Sequence, residues 1–234
     1  MLTPAVAPIE AKKKEWSPYT DNGGTTLAIA GPDYAIVAAD TRLSNGYSIS
    51  CRDVTKLAQL TQHCVIGTAG MQADRAVFHK LLRTRVDYFK YKYGKTITPT
   101  ALAQMIANIL YGHRFFPYYC FNVVGGLDAQ GHGVVFSYDA VGSYQALPYA
   151  TTGSGAQLLE PLLDSHIAQR NRTQKNPPMS KDEAIAFVKN AMASVSERDI
   201  HTGDFLEIAV ITREGTQIIT READGVERIK LGFD

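Results

Sequence analysis

Two runs near the start of the chain, TTLAIAG (25–31) and YAIVAAD (34–40), constrain its fold more than any other stretch. Both are short, rich in β-branched and small apolar residues, and separated by the turn signal Gly31-Pro32-Asp33. Neither alternates apolar with polar residues, so a hairpin made from them has two faces to bury. LEIAVIT (206–212) and TQIITRE (216–222) form a second such pair around Glu214-Gly215. Hairpins buried on both faces call for two sheets packed together, each with a helical layer outside.

The helical patterns supply those layers. Ala73, Val77, Leu81, Leu82, Val86, Phe89 and Tyr93 recur every three to five residues and predict a long helix with that face inward. Thr98-Pro99 opens a second, with a capping residue before proline at the first helical position, a stripe of Leu102, Met105, Ile106, Ile109 and Leu110, and Gly112 as its stop. HCVIGTAG (63–70), FNVVGGLD (121–128) and GVVFSYD (133–139) read as strands, the last two joined through Asp128-Ala129-Gln130-Gly131, and SYQALPY (143–149) as a weaker one. A third helix is expected from about Gly155, kinked or begun late at Pro161. Ser180 and Glu183 make a capping box for a fourth.

The order is strands, two helices, strands, two helices, strands. It predicts an α+β fold of two packed antiparallel sheets between helical layers, as a single domain over 18–234. Residues 1–17, with Pro4, Pro8 and no sustained periodicity, read as a flexible extension.

Composition removes whole classes of function. The formal net charge is +1, and the only compact basic run is Lys12-Lys13-Lys14, followed at once by Glu15, so neither nucleic acid nor an anionic membrane is an expected partner. No apolar run approaches the length that spans a bilayer, and the N-terminus lacks the basic start and apolar core of a secretory signal. Cys51, Cys64 and Cys120 are odd in number and widely spaced, which fits reduced, core-packed thiols and a cytoplasmic or nuclear compartment. The six histidines show no ligand spacing, so no metal is expected. TTGSGAQ (151–157) lacks the Gly-Lys-Ser/Thr ending of a nucleotide-binding loop and reads as a helix start. No cofactor is expected. RFFPYY (114–119) reads as an aromatic loop entering the core, with a surface for a partner as the other reading.

The stretch GGTTLAIAGPDYAIVAADTR (23–42), followed by Lys56 and by GTAGMQAD (67–74), resembles the β subunits of the proteasome. RFFPYY, GGLD, VGSY and PLLD extend the likeness in order from about residue 17 onward, closest to a non-catalytic member of the eukaryotic β ring. The resemblance implies the N-terminal-nucleophile hydrolase fold, a four-layer α-β-β-α sandwich. It implies assembly with other β subunits, with α-ring subunits and with an opposite β ring, and a part in ubiquitin- and ATP-dependent protein degradation. In active members a threonine freed by self-cleavage after glycine attacks the scissile carbonyl, assisted by a lysine, a buried aspartate and a glycine turn that stabilises the oxyanion.

Carried over residue by residue, Asp40 matches the aspartate and Lys56, 16 positions on, the lysine. Gly70 matches the oxyanion turn, while Ser154, Asp199 and Thr202 match the supporting polar cluster. The nucleophile position falls on Gly24, which has no hydroxyl. The site is therefore expected to be vestigial, and the segment before Gly24 to be removable only by an active neighbour. Asp40 and Lys56 then read as a buried ion pair. An active enzyme using Thr25 or Thr26 remains the alternative, although strand alternation turns Thr25 away from Lys56 and Thr26 lies about 7 Å further along. A self-assembling bacterial-type relative is a third reading. The resemblance further implies that Asp139 and Ser143 reach a neighbour's substrate pocket, and that the Asp199/Thr202 turn is a place where some members hold a structural cation.

Overall fold

β1 (Thr25–Ala30) and β2 (Ala35–Asp40) pair antiparallel, Ile29 opposite Ile36 and Leu27 opposite Ala38. They are the centre of the first sheet in a computed structural model that describes residues 16–220 and 227–232. The expected extension thus lies outside the described residues, apart from Trp16 and Ser17, which are exposed.

The first sheet runs β10 (Tyr149–Gly153), β1, β2, β11 (Asp204–Thr212), β12 (Gly215–Ile219), with the two-residue β13 (Lys230–Leu231) also on β11. The second runs β5 (Leu57–Thr61), β6 (Cys64–Gly70), β7 (Cys120–Leu127), β8 (Gly133–Tyr138), β9 (Tyr144–Leu147). Every pairing is antiparallel. A separate hairpin, β3 (Leu43–Asn45) and β4 (Ser48–Cys51), projects beside them.

Strand alternation sorts the core into three slabs. Leu27, Ile29, Ile36 and Ala38 face a helical layer made of α3 (Ala156–Leu163) and α4 (Lys181–Ser196). Ala28, Ala35, Val37 and Ala39 point the other way, onto Val65, Val123 and Val135 of the second sheet. The far side of that sheet buries Ile66, Val124 and Phe136 under α1 (Gln72–Tyr93) and α2 (Pro99–Gly112). Small side chains fill the middle slab and larger ones the outer two. The result is the four-layer α-β-β-α sandwich expected.

Local signals hold where they are chemical. Thr98 accepts a hydrogen bond from Ala101 N, and Ser180 and Glu183 cap α4 reciprocally. Pro161 is accommodated inside α3, which continues as a π-helical turn over Asp164–Ala168.

Four expectations are corrected. α1 buries Arg75, Phe78, His79, Leu82 and Val86, leaving Val77 and Tyr93 more than half exposed, because two polar residues belong to the inward face. SYQALPY is two strands: the chain leaves the second sheet at Leu147, turns at Pro148 and joins β1 of the first as β10. Cys64 and Cys120 are buried as expected, but Cys51 is exposed on β4. In RFFPYY only Tyr118 and Tyr119 pack inward, on Phe78 and on Tyr19 and Phe121, whereas Phe115 and Phe116 are 92% and 67% exposed.

Candidate functional site

The strand ends that meet at one edge of the two sheets assemble the site. Gly24 precedes β1, Asp40 ends β2, Lys56 precedes β5, and Gly70 ends β6. Ser154 follows β10, and the turn 199–202 joins α4 to β11. Asp40 and Lys56 are both completely buried, with Nζ 3.1 Å from Oδ1. The ammonium also donates to the carbonyls of Asp40 (2.8 Å) and Arg42 (2.7 Å), so its three protons have three acceptors. Burial nevertheless pulls the Lys56 pKa down from the usual lysine range, against the opposing pull of Asp40. Asp40 is the better satisfied partner: its oxygens also accept from the backbone N–H groups of Thr25 (2.9 Å), Arg42 (3.3 Å) and Gly203 (3.2 Å).

Gly24 has φ +87°, a conformation that side-chain-bearing residues rarely adopt. A β-carbon there would lie 2.8 Å from Lys56 Nζ and nearer still to its Cε. The lysine therefore occupies the space a side chain on residue 24 would need. The Gly24 carbonyl accepts from Ser154 N (3.0 Å). Gly70, at φ +113°, leaves no room for a β-carbon against the Tyr119 carbonyl, so the oxyanion-type turn keeps its shape.

The supporting cluster is organised around Thr25. Ser154 Oγ donates to Asp199 Oδ2 (2.6 Å), and Thr202 Oγ1 does the same (2.5 Å). With its only proton given to Asp199, Thr202 must accept from Thr25 Oγ1, 2.6 Å away. Thr25 Oγ1 in turn accepts from Gly155 N (2.9 Å). Thr26 Oγ1 pairs with Thr152 Oγ1 at 2.7 Å on the opposite strand face, between the sheets. Both threonines are fully buried, and neither hydroxyl bonds Lys56 among the described residues. A cavity of about 420 Å³ opens beside this edge, lined by Asp21, Gly23, Gly70, Ser137 and Ser154 among others.

Asp139 and Ser143 stand apart, exposed at the turn between β8 and β9. Asp139 Oδ1 accepts from the N–H groups of Val141 (3.0 Å) and Ser143 (2.8 Å), so the carboxylate shapes its own loop.

Several residues with site roles had no motif to announce them. Asn22 ties the approach to Gly24 to both walls: Nδ2 donates to Ser44 O (3.0 Å) and Oδ1 accepts from Gln72 N (2.8 Å). Arg42 donates to Asp204 (2.7 Å) and to Ile200 O (3.0 Å), pinning the 199–202 turn. Arg75, 2% exposed behind the Gly70 turn, bonds Gln72 and has its pKa lowered to about 10 by burial. Only Arg75 left a usable trace, as the first member of the phase 75, 78, 82, 86.

The family model described as proteasome subunit matches residues 20–211. A protein of Arabidopsis thaliana named proteasome subunit beta type-1 is 46% identical over 86% of this chain and 92% of its own length. Its namesake in Dictyostelium discoideum is 47% identical over 84% and 85%. A Schizosaccharomyces pombe protein named probable proteasome subunit beta type-6 is 35% identical over 91% and 99%. Fold, matched residues and relatives agree, and the chain belongs to the proteasome subunit family.

Proposed function

We propose that this chain is a non-catalytic, structural β subunit of the 20S proteasome core particle. It completes a β ring with other β subunits, meets α-ring subunits and the opposite β ring, and works in the cytoplasm and nucleus in ubiquitin- and ATP-dependent protein degradation. Polypeptide substrates concern it only indirectly, through the pocket of an active neighbour that Asp139 and Ser143 help to shape. The observation carrying this reading is Lys56 folded into the space beside Gly24, where a reacting side chain would stand. A glycine offers no hydroxyl to attack a carbonyl, and nearby Thr25 and Thr26 are buried with their hydroxyls committed elsewhere.

The role needs no cofactor. A structural cation at the Asp199/Thr202 turn is a separate, lesser proposal carried by the resemblance; in that turn the Ile200 carbonyl accepts from the Arg42 guanidinium and the Asp199 carbonyl from Thr202 N.

Purification through a tag on this chain, with native mass measurement of what comes with it, tests the reading. A particle holding both α- and β-type subunits is expected. A free monomer, or a ring of this chain alone, would overturn it.

A further inference from the structure

The chain contains the dipeptide Asn-Gly twice, at 22–23 and at 45–46. Glycine leaves its own amide nitrogen less shielded than any other residue does, because no β-carbon stands beside it. That nitrogen is placed to attack the preceding asparagine side chain, and the fold treats the two pairs in opposite ways. Asn22 is held at every point the reaction would use. Its Nδ2 donates to Ser44 O (3.0 Å) and its Oδ1 accepts from Gln72 N (2.8 Å). The attacking group is engaged as well: Gly23 N donates to Asp21 Oδ1 (2.9 Å), and Gly23 is buried.

Asn45 has none of these restraints. It ends β3 opposite Ser48, and Gly46 and Tyr47 make the two-residue turn into β4. All four residues are exposed, Tyr47 at 98%. Among the described residues, neither the Asn45 side-chain amide nor the Gly46 N–H has a hydrogen-bond partner. A β-carbon on Gly46 would meet nothing within 4 Å, so the approach is open. β3 and β4 form a two-stranded sheet of their own, and β4 is exposed throughout. An isolated hairpin of this kind opens at little cost, which frees Asn45 from its strand conformation.

We infer that Asn45 is a site of spontaneous deamidation and isoaspartate formation in the folded protein, and that Asn22 is protected from it. Gly46 N gives up its proton and bonds to Asn45 Cγ. The Cγ–Nδ2 bond breaks, and Nδ2 leaves as ammonia with that proton, giving a cyclic imide. Water then opens the ring. Opening at Cγ leaves aspartate; opening at the backbone carbonyl leaves isoaspartate, with the chain routed through the former side chain. Nothing is oxidised or reduced: each event exchanges ammonia for water and adds one negative charge at neutral pH. Isoaspartate also lengthens the backbone by one carbon directly after Ser44. The Ser44 carbonyl accepts from Asn22 Nδ2, and Ser44 N donates to Asn22 O (3.3 Å), so the change reaches the approach to Gly24.

The test uses the chain in its native assembly, warmed at neutral pH and sampled over time. Its peptides are read by mass spectrometry with fragmentation that separates aspartate from isoaspartate. The peptide spanning Asn45 should gain about 1 Da as amide becomes acid. It should do so at least roughly tenfold faster than the peptide spanning Asn22, whose three hydrogen bonds must open first. In strong denaturant the two peptides should convert at similar rates, since the fold alone separates them. Asn45→Gln, which keeps an amide but moves it one carbon further from Gly46 N, should abolish the gain at that position in the native chain. An unconverted Asn45 would overturn the inference, as would conversion of Asn22 at an equal rate in the native chain. A difference that persisted in denaturant would also overturn it, by placing the cause in the sequence and not in the fold.

Discussion

Lys56 lies where a side chain on residue 24 would have to go, its Nζ 2.8 Å from the place of a β-carbon on Gly24. The bare glycine and the packing of the lysine are thus one feature. The supporting residues have not drifted apart: Asp40 still holds the lysine and the N–H of Thr25, and Asp199 still collects two hydroxyls. Together they form a buried polar knot that joins the start of β1, the end of β2 and the residue before β5 to the 199–202 turn.

Restoring a side chain at residue 24 should therefore damage the fold rather than revive chemistry. Gly24→Ala and Gly24→Thr each face a left-handed backbone and a filled space, at about 2–4 kcal/mol together. Thermal unfolding of either variant should show a clear drop in Tm. A Gly24→Thr variant as stable as the parent would contradict the packing described.

The ion pair should be lopsided. Asp40 accepts from three backbone N–H groups besides the lysine, whereas burial pulls the Lys56 pKa down despite the carboxylate beside it. Asp40→Ala is expected to cost about 3–5 kcal/mol, leaving a buried ammonium and several donors without a carboxylate. Lys56→Met, which keeps much of the volume and leaves Asp40 its three N–H donors, is expected to cost less, at the lower end of that range, about 3 kcal/mol. Denaturant midpoints of the two variants decide the order, and equal losses would refute it.

Acid should loosen the α1 layer through His79. The ring is buried beside Arg75 and Arg83, and burial first, then those two cations, lowers its pKa to about 3. Thr68 gives its proton to Asn122 Oδ1 and so accepts from His79 Nε2, which fixes the neutral ring as donor. A folded pKa below the unfolded value of about 6.5 means the unfolded chain binds the proton more readily. Its contribution is intact above pH 6.5 and falls away as the pH drops toward 3. Between pH 7 and 5 this amounts to about 2 kcal/mol. His79→Gln keeps a donor without a titrating group, so its stability should change less over that interval. An identical pH dependence in the two proteins would exclude the effect.

The neighbour-pocket role of Asp139 needs a variant that spares the turn. Asp139→Asn keeps an oxygen for the N–H groups of Val141 and Ser143 while removing the charge. In assembled particles it should change, by severalfold, the neighbour's kcat/KM for substrates with basic against acidic side chains. Asp139→Ala also loosens the loop and cannot separate the two effects. Unchanged preference with Asp139→Asn would remove this chain from the pocket.

The architecture was legible because hairpins without polar alternation have only one way to be covered twice, and because Thr98, Ser180 and Glu183 announce helix starts chemically. β3, β4 and β5 went unread: β4 is exposed throughout and β3 is three residues long, so neither offers a period to detect. The face of α1 was misjudged because Arg75 and His79 count as polar in sequence yet are held inside by Gln72 and Thr68. Phe115 and Phe116 were misjudged in the other direction, since aromatic character alone does not separate core from surface. Gly24, Asp40 and Lys56 could be picked out only by family spacing. That the lysine fills the glycine's space depends on φ at residue 24 and on the reach of a side chain from the residue before β5, neither of which spacing contains.

The most direct measurement is the intact mass of this chain from native particles, with and without an epoxyketone, which closes a ring on the hydroxyl and free amine of an N-terminal threonine. The account predicts a chain that still carries residues ahead of Gly24 and gains no mass from the probe. A chain beginning at Thr25 or Thr26 and bearing the adduct would contradict it, and would make this subunit an enzyme.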